Sequence, residues 1–335
     1  MKIRMPGIVL TAIVCLISSP SAFAWGCRGH ETIGLIAKKH LSPAAKALVD
    51  KFLAIDPGRT KAPFGVCATA GLDPYASGAT WADAVRNRDG VNDGGWHFVD
   101  IARGADRSTI STLCSQTPSC VIDAINRQME ILEDSSKTDQ ERAAAVRYIL
   151  HFAGDIHQPL HCTTNGDKGA NCVPLTYFKD KPNPSKDDSG AVIPDTYTPE
   201  LHGIWDKQMV ERDMKANNVS TSQAYADFLD AAFVSQFPMW LGEPINPEDW
   251  AWDSHEHAED IAYGDLPKLI QIDPHPDATV KVCSDNNRIG NRMFHKHLKV
   301  GQAYQDDVSP IIQERLAMAG IRLAMLLNDA ATKLH

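Results

Sequence analysis

Apolar residues recur at helical spacing along most of this chain, and alternation of period two is scarce. The segments 34–39, 43–53, 80–88, 121–133, 141–156, 201–212, 222–233 and 310–334 carry the pattern. In 141–156 the apolar stripe is Ala144, Ala145, Tyr148, Ile149 and Phe152. Ser42-Pro43 adds an N-cap followed by proline at the first helical position. The best short strand candidate is 279–283, and no repeat of roughly 20–50 residues is visible. Two stretches, 57–78 and 179–200, read as irregular. The second, rich in Pro, Asp, Ser and Lys, is expected as a surface loop rather than a linker. The expected fold class is therefore all-α, a single mainly helical domain.

Residues 1–24 read as a cleaved secretory signal. Lys2 and Arg4 precede an apolar run from Ile8 to Ile17, and Ala22-Phe23-Ala24 is a small-x-small cleavage site. The run falls short of the ~20 residues that span a bilayer, and no later segment is long and apolar enough. The mature domain is expected to cover 25–335, exported to the periplasm or outside the cell, and monomeric. Its formal charge becomes two units more negative than the −9 of the full chain. That balance argues against gripping duplex nucleic acid through a broad basic face. It does not exclude a nucleic-acid enzyme whose charge is supplied by metal ions.

Export permits disulfides. The spacings of Cys114/Cys120 and Cys162/Cys172 suit local bridges, and Cys67 with Cys283 would be a long-range staple, which leaves Cys27 over. No pair has C-x-x-C spacing, which argues against a zinc-thiolate site.

Thirteen histidines stand out in the composition, and several fall with aspartates at ligand spacing. His151 and Asp155, four apart in a helical stretch, share one helix face. Pro159 ends that helix and His161 follows in the turned chain, while His202 and Asp206 repeat the spacing further on. Asp83 lies in a helical segment, and His97 lies in Gly95-Trp96-His97-Phe98-Val99-Asp100. Nitrogen and oxygen donors without thiolates suit zinc and related divalent ions. Cleavage after Ala24 frees the amine of Trp25, whose pKa near ~8 lets it bind a metal together with its carbonyl, beside His30.

These residues occur in family order. Trp25-Gly-x-x-Gly-His30, Trp81-Ala-Asp83, Trp96-His97-Phe98-x-Asp100, the block from His151 through Asp155 to His161, and His202-x-x-Trp-Asp206 resemble the zinc-dependent single-strand-specific nucleases of the S-one/P-one family. The zinc phospholipases C have a related ligand scheme and are the alternative reading. The resemblance implies a helical fold with three zinc ions in one cleft. Asp83, His97, His151 and Asp155 would hold the first. His161, His202 and Asp206 would hold the second, and Trp25, His30 and Asp155 the third. His157 is read as structural, and His255 and His257 as surface residues.

The implied reaction is hydrolysis of single-stranded DNA and RNA to 5′-phosphate products, with 3′-nucleotides as further substrates. Zinc lowers the pKa of bound water toward ~7, so a zinc-bound hydroxide would attack phosphorus, with Asp83 orienting it. Arg86, one turn past Asp83, is expected to hold a phosphate oxygen. Phe98 would stack on a base, worth ~1–3 kcal/mol, and Asp100 would bond its edge. Tyr197, five residues before His202, is expected as a second wall of that base pocket.

Overall fold

The computed structural model describes residues 25–62, 66–116, 120–187, 189–268, 270–273, 276, 280 and 282–334. The signal sequence read at 1–24 lies outside them, as do His275, His335 and parts of 279–283. The described residues of that last segment, 280 and 282–283, are not in a strand.

The fold is mainly helical. The first half contains α1 (Gly26–Lys39), α2 (Pro43–Leu53), α3 (Pro74–Ala79), α4 (Trp81–Val85), α5 (Ile110–Gln116), α6 (Val121–Glu133) and α7 (Asp139–Asp155). The second half adds α8 (Leu201–Gly203), α9 (Met209–Ala216), α10 (Ser222–Phe233), α11 (Phe237–Leu241), α12 (Pro247–His257), α13 (Ile289–Phe294) and α14 (Gln302–Lys333). Caps fix several starts. Ser42 accepts from the Ala45 amide ahead of Pro43, and Thr138 forms a reciprocal capping box with Glu141 at the head of α7. One continuous core holds the helices together. α1 is sandwiched by α3, α10 and α14, and α7 packs on α6, α3, α2 and α14.

Several elements differ from the sequence reading. α1 begins eight residues before the expected 34, at Gly26, and its Gly29 and Gly34 allow close packing on the Trp25 side chain and the Tyr75 backbone. The helix expected over 80–88 stops at Val85, where Arg86 turns extended and Asn87 and Asp89 take positive φ. The closing helix starts before Pro310, at Gln302. Pro310 lies on an exposed face of the helix, where the carbonyl it cannot bond is open to solvent rather than buried in the core. The loop expected over 179–200 contains an antiparallel hairpin of β2 (Asn183–Lys186) and β3 (Val192–Thr198). Its largely exposed faces carry little apolar alternation, so no pattern announced it. A short parallel pair, β1 (Leu175–Tyr177) with β4 (Leu298–Val300), ties the middle of the chain to the start of α14.

Three disulfides join Cys27 to Cys67, Cys114 to Cys120 and Cys172 to Cys283. The local pair was legible. Cys162 does not bridge Cys172, because it is buried in the core with its thiol donating to the Ile156 carbonyl. Cys27 is not the odd residue: it sits in the first turn of α1 and bonds Cys67, which leaves Cys172 to staple Cys283. Among the described residues no helix is long and apolar enough to cross a membrane.

Candidate metal centre

The eight His and Asp side chains singled out as ligands are all buried. α1 supplies His30, α4 supplies Asp83, and a short turn, Gly94–His97, supplies His97. His151 and Asp155 end α7, and His161 follows in the turn Pro159–Cys162. His202 lies in α8. Asp206 lies in Ile204–Gln208, a widened π turn that joins α8 to α9. Such turns often mark functional sites.

These side chains gather in three groups: Asp83, His97 and His151; His30, His151 and Asp155; and His161, His202 and Asp206. Asp155 links the first two. Its Oδ2 is 2.9 Å from His97 Nδ1 and 3.2 Å from His151 Nε2, while its Oδ1 is 3.4 Å from His30 Nε2. Asp83 Oδ1 is 3.6 Å from both His97 Nδ1 and His151 Nε2. In the third group, His202 Nε2 is 3.3 Å from Asp206 Oδ2 and 3.0 Å from His161 Nε2. A fourth grouping, Cys114, Cys120 and Asp123, is no competitor, because its sulfurs are in a disulfide.

Backbone carbonyls set the ring orientations. His151 Nδ1 donates to Ala79, His161 Nδ1 to His97 and His202 Nδ1 to Gly169, at 2.6–2.7 Å. A carbonyl only accepts, so Nδ1 carries a proton, and in the neutral ring each Nε2 offers a lone pair inward. His161 and His202 in neutral form therefore aim lone pairs at each other. Both nitrogens of His30, Asp83 Oδ1, Asp155 Oδ1 and Asp206 Oδ2 are buried without a hydrogen-bond partner. Leaving such groups unpaired costs about 1–3 kcal/mol each. A nitrogen-and-oxygen donor set with orphaned inward atoms fits zinc or a similar divalent ion.

The electrostatics point the same way. Burial lowers His30 to about 4, with the His151 charge adding to it. Burial also holds His97, His161 and His202 below the usual histidine range. His151 is the exception: the Asp155 and Asp83 carboxylates outweigh burial and push it up to about 9. Burial raises Asp83 to about 6 and Asp206 well above the carboxylate range. For Asp155 burial is outweighed by the His151 charge and by the His151, His30 and His97 rings that face it, which hold it well down. The neutral imidazoles are in the form that binds metal.

Trp25 is fully buried, and its indole donates to the Gly154 carbonyl at 2.9 Å, next to Asp155. Its own carbonyl accepts from Gly29 N at 3.0 Å. Gly26 lies against the other side of the centre, where a Cβ would stand 3.0 Å from the Asp206 carbonyl. Arg86 donates to the Gly94 carbonyl at 2.8 Å, and its charge is felt at Asp83, His97, His161 and His202. Past His97 the chain turns extended at Phe98 and is tied to the His161 turn by Val99 N donating to His161 O at 2.8 Å. His97 and Val99 are buried, while Phe98 and Asp100 are half-buried. Burial, aided by Asp167, pushes Asp100 up to about 7, and Lys168 opposes it. Tyr197 lies in β3. It stacks on Phe294 at 4.5 Å, with β3 packed on α13.

Some residues escaped the sequence reading. Gln158 donates to Asp206 Oδ1 at 2.7 Å and so braces that ligand. The carbonyls of Ala79 and Gly169 leave no side-chain signal. His255, expected at the surface, is buried because α12 turns Trp250, Ala251, Ser254 and His255 inward. His257, one turn position further round, is half-buried beside Asp253. His157 bonds the Ala153 carbonyl and accepts from Arg322 at 3.0 Å, outside the ligand groups.

A helical fold enclosing a buried His/Asp centre is thus the frame for comparison. The family model described as S1/P1 Nuclease matches residues 25–332, and the chain belongs to the S1/P1 nuclease family. Among curated relatives, Nuclease S1 of Aspergillus oryzae is 27% identical over 333 residues, covering 98% of this chain and 99% of that protein. Endonuclease 4 of Arabidopsis thaliana is 25% identical, covering 96% and 92%. Nuclease P1 of Penicillium citrinum is 23% identical, covering 91% and 97%.

Proposed function

We propose that the chain is an exported zinc-dependent nuclease that hydrolyses single-stranded DNA and RNA to 5′-phosphates and removes phosphate from 3′-nucleotides. The observation that carries this reading is the set of buried, inward-facing ligand atoms without partners in a member of a nuclease family. Asp83, His97, His151 and Asp155 would hold one zinc ion, and His161, His202 and Asp206 a second. His30 and Asp155, with the amine and carbonyl of Trp25, would hold a third. The family match begins at Trp25, the residue that follows the cleavage site read in the sequence. Three disulfides accord with export.

When bound, zinc supplies Lewis acidity for activating water at neutral pH and for offsetting charge on phosphate. The chain supplies the rest. Asp83 accepts a hydrogen bond from the attacking water and orients it. Arg86, steadied by Gly94, holds a non-bridging phosphate oxygen. Phe98 stacks on the base and Asp100 bonds its edge, which requires a base free of a duplex. Breaking the bond from phosphorus to the 3′-oxygen leaves a 5′-phosphate on a strand. The same cleavage frees phosphate from a 3′-nucleotide.

The test is a substrate comparison with protein beginning at Trp25: a single-stranded oligonucleotide, the matching duplex, a 3′-nucleotide and phosphatidylcholine. The expected result is fast cleavage of the single strand and the 3′-nucleotide, slow cleavage of the duplex and an intact lipid. Lipid cleavage without nuclease activity would overturn the proposal.

A further inference from the structure

Arg86 and two of the ligands lie at the ends of one loop, and that loop is built around a single buried carboxylate. Asp93 has no solvent exposure. Its Oδ1 accepts from the Asn87 amide at 2.5 Å. Its Oδ2 accepts from the Tyr148 hydroxyl at 2.5 Å and from Arg59 at 3.4 Å. Arg59 also donates to the carbonyls of Val85 and Arg88, so the loop is clamped from outside. The bonds then lead back to the centre. Asn87, held at φ 56, accepts from Gly94 N through its Oδ1 at 2.9 Å. A Cβ on Gly94 would stand 2.6 Å from Asn87 Nδ2, so any larger residue there would displace the Asn87 side chain. The Gly94 carbonyl, fixed in this way, accepts from Arg86 Nη2 at 2.8 Å.

We infer that Asp93 is a positioning residue that sets the Arg86 guanidinium for the substrate phosphate, acting through Asn87 and Gly94. The hydrogen bonds to Asp93 come from Asn87, Tyr148 and Arg59, and its charge is felt at Asp83. A carboxylate is required because every donor around it, the Asn87 amide, the Tyr148 hydroxyl and the Arg59 guanidinium, points inward. An amide in its place turns an NH2 toward one of them. The inference rests on the reading in which Arg86 holds a phosphate oxygen.

The experiment compares Arg86→Ala, Asn87→Gly, Asp93→Asn and the doubles Arg86→Ala/Asn87→Gly and Arg86→Ala/Asp93→Asn. Asn87→Gly keeps the positive φ and removes only the side-chain acceptor, so it reports on the relay even where Asp93→Asn folds poorly. The readouts are kcat/KM on a single-stranded oligonucleotide, the inhibition constant of inorganic phosphate, and zinc per chain. Each single variant is expected to lose about tenfold in kcat/KM, with phosphate inhibition weakened in parallel and zinc unchanged. In the Arg86→Ala background either second substitution is expected to add less than about twofold. Multiplying losses in the doubles, or zinc loss in step with activity, would overturn the inference. A slow Arg86→Ala beside a silent Asn87→Gly would overturn the inference alone. An Arg86→Ala enzyme of full activity would remove the phosphate reading as well.

Discussion

Gly154 stands one residue before Asp155, and a Cβ there would lie 2.8 Å from His30 Nδ1. The close approach lets the His30 ring stack on His151 at 3.9 Å while its Nε2 faces Asp155. Gly154→Ala is therefore expected to displace His30, lower zinc content and destabilise the protein by about 1–3 kcal/mol. Metal analysis and denaturant unfolding check it, and unchanged values for both would refute the packing argument. Phe98 makes the opposite case, because it is half-buried beside the centre and does not ligate. Phe98→Ala should keep the zinc and lose a kcat/KM factor equivalent to ~1–3 kcal/mol on single strands. Full activity in that variant would place Phe98 in packing alone. At this scale the ligand types were legible because chemistry restricts them to His and Asp. The braces were not. The Ala79 and Gly169 carbonyls exist at every residue, and Gln158 gains its role only from the turn that brings it to Asp206.

Helices and short turns deliver the candidate ligands. Two i, i+4 pairs, His151/Asp155 and His202/Asp206, were readable as shared faces, and α2, α6 and α10 fall within their expected limits. What periodicity could not convey is how loops close. Arg86 was read as one helical turn past Asp83. It in fact leaves the helix and is placed by the Asn87–Gly94 contact across the loop. The hairpin went unseen because its faces are mostly exposed, and the stacking of Tyr197 on Phe294 follows from β3 packing on α13. The shared ligand groups between elements also make a pH statement. His30 is lowered to about 4 in the folded chain. The unfolded chain therefore takes up its proton first as pH falls from about 6.5, and folding loses that contribution down to about 4. Protonation also competes with zinc. The rise in Tm that zinc gives over chelated protein is expected to shrink from pH 7 to pH 4, as read by thermal unfolding at each pH. An undiminished difference at pH 4 would count against a histidine ligand set.

The whole molecule carries a net charge of −9, which by itself points away from nucleic acid. Asp83, Asp155 and Asp206 contribute to that sum, yet they are buried and gathered with histidines, where bound cations would reverse the local sign. On the proposed reading, attraction for phosphate would be confined to the cleft rather than spread over the surface. The scaffold needs rigidity for this. The Cys172–Cys283 bridge closes a span of 111 residues between the ligand-bearing loop and the segment before α13. Replacing both cysteines by serine is expected to cost about 2–5 kcal/mol in denaturant unfolding. A cost near zero would mean that core packing alone holds that segment. Sequence could count these cysteines but not pair them, because pairing depends on where α1 and the loops end up in space.

The central claim is that these buried histidines and aspartates, completed by the Trp25 amine, form a zinc centre that cleaves single strands. The most direct measurement is titration of zinc into chelated protein that begins at Trp25, following single-strand hydrolysis. Activity is expected to be absent without metal and to saturate at three equivalents, with one fewer bound and most activity lost when residues precede Trp25. Full activity in the metal-free protein would contradict the account.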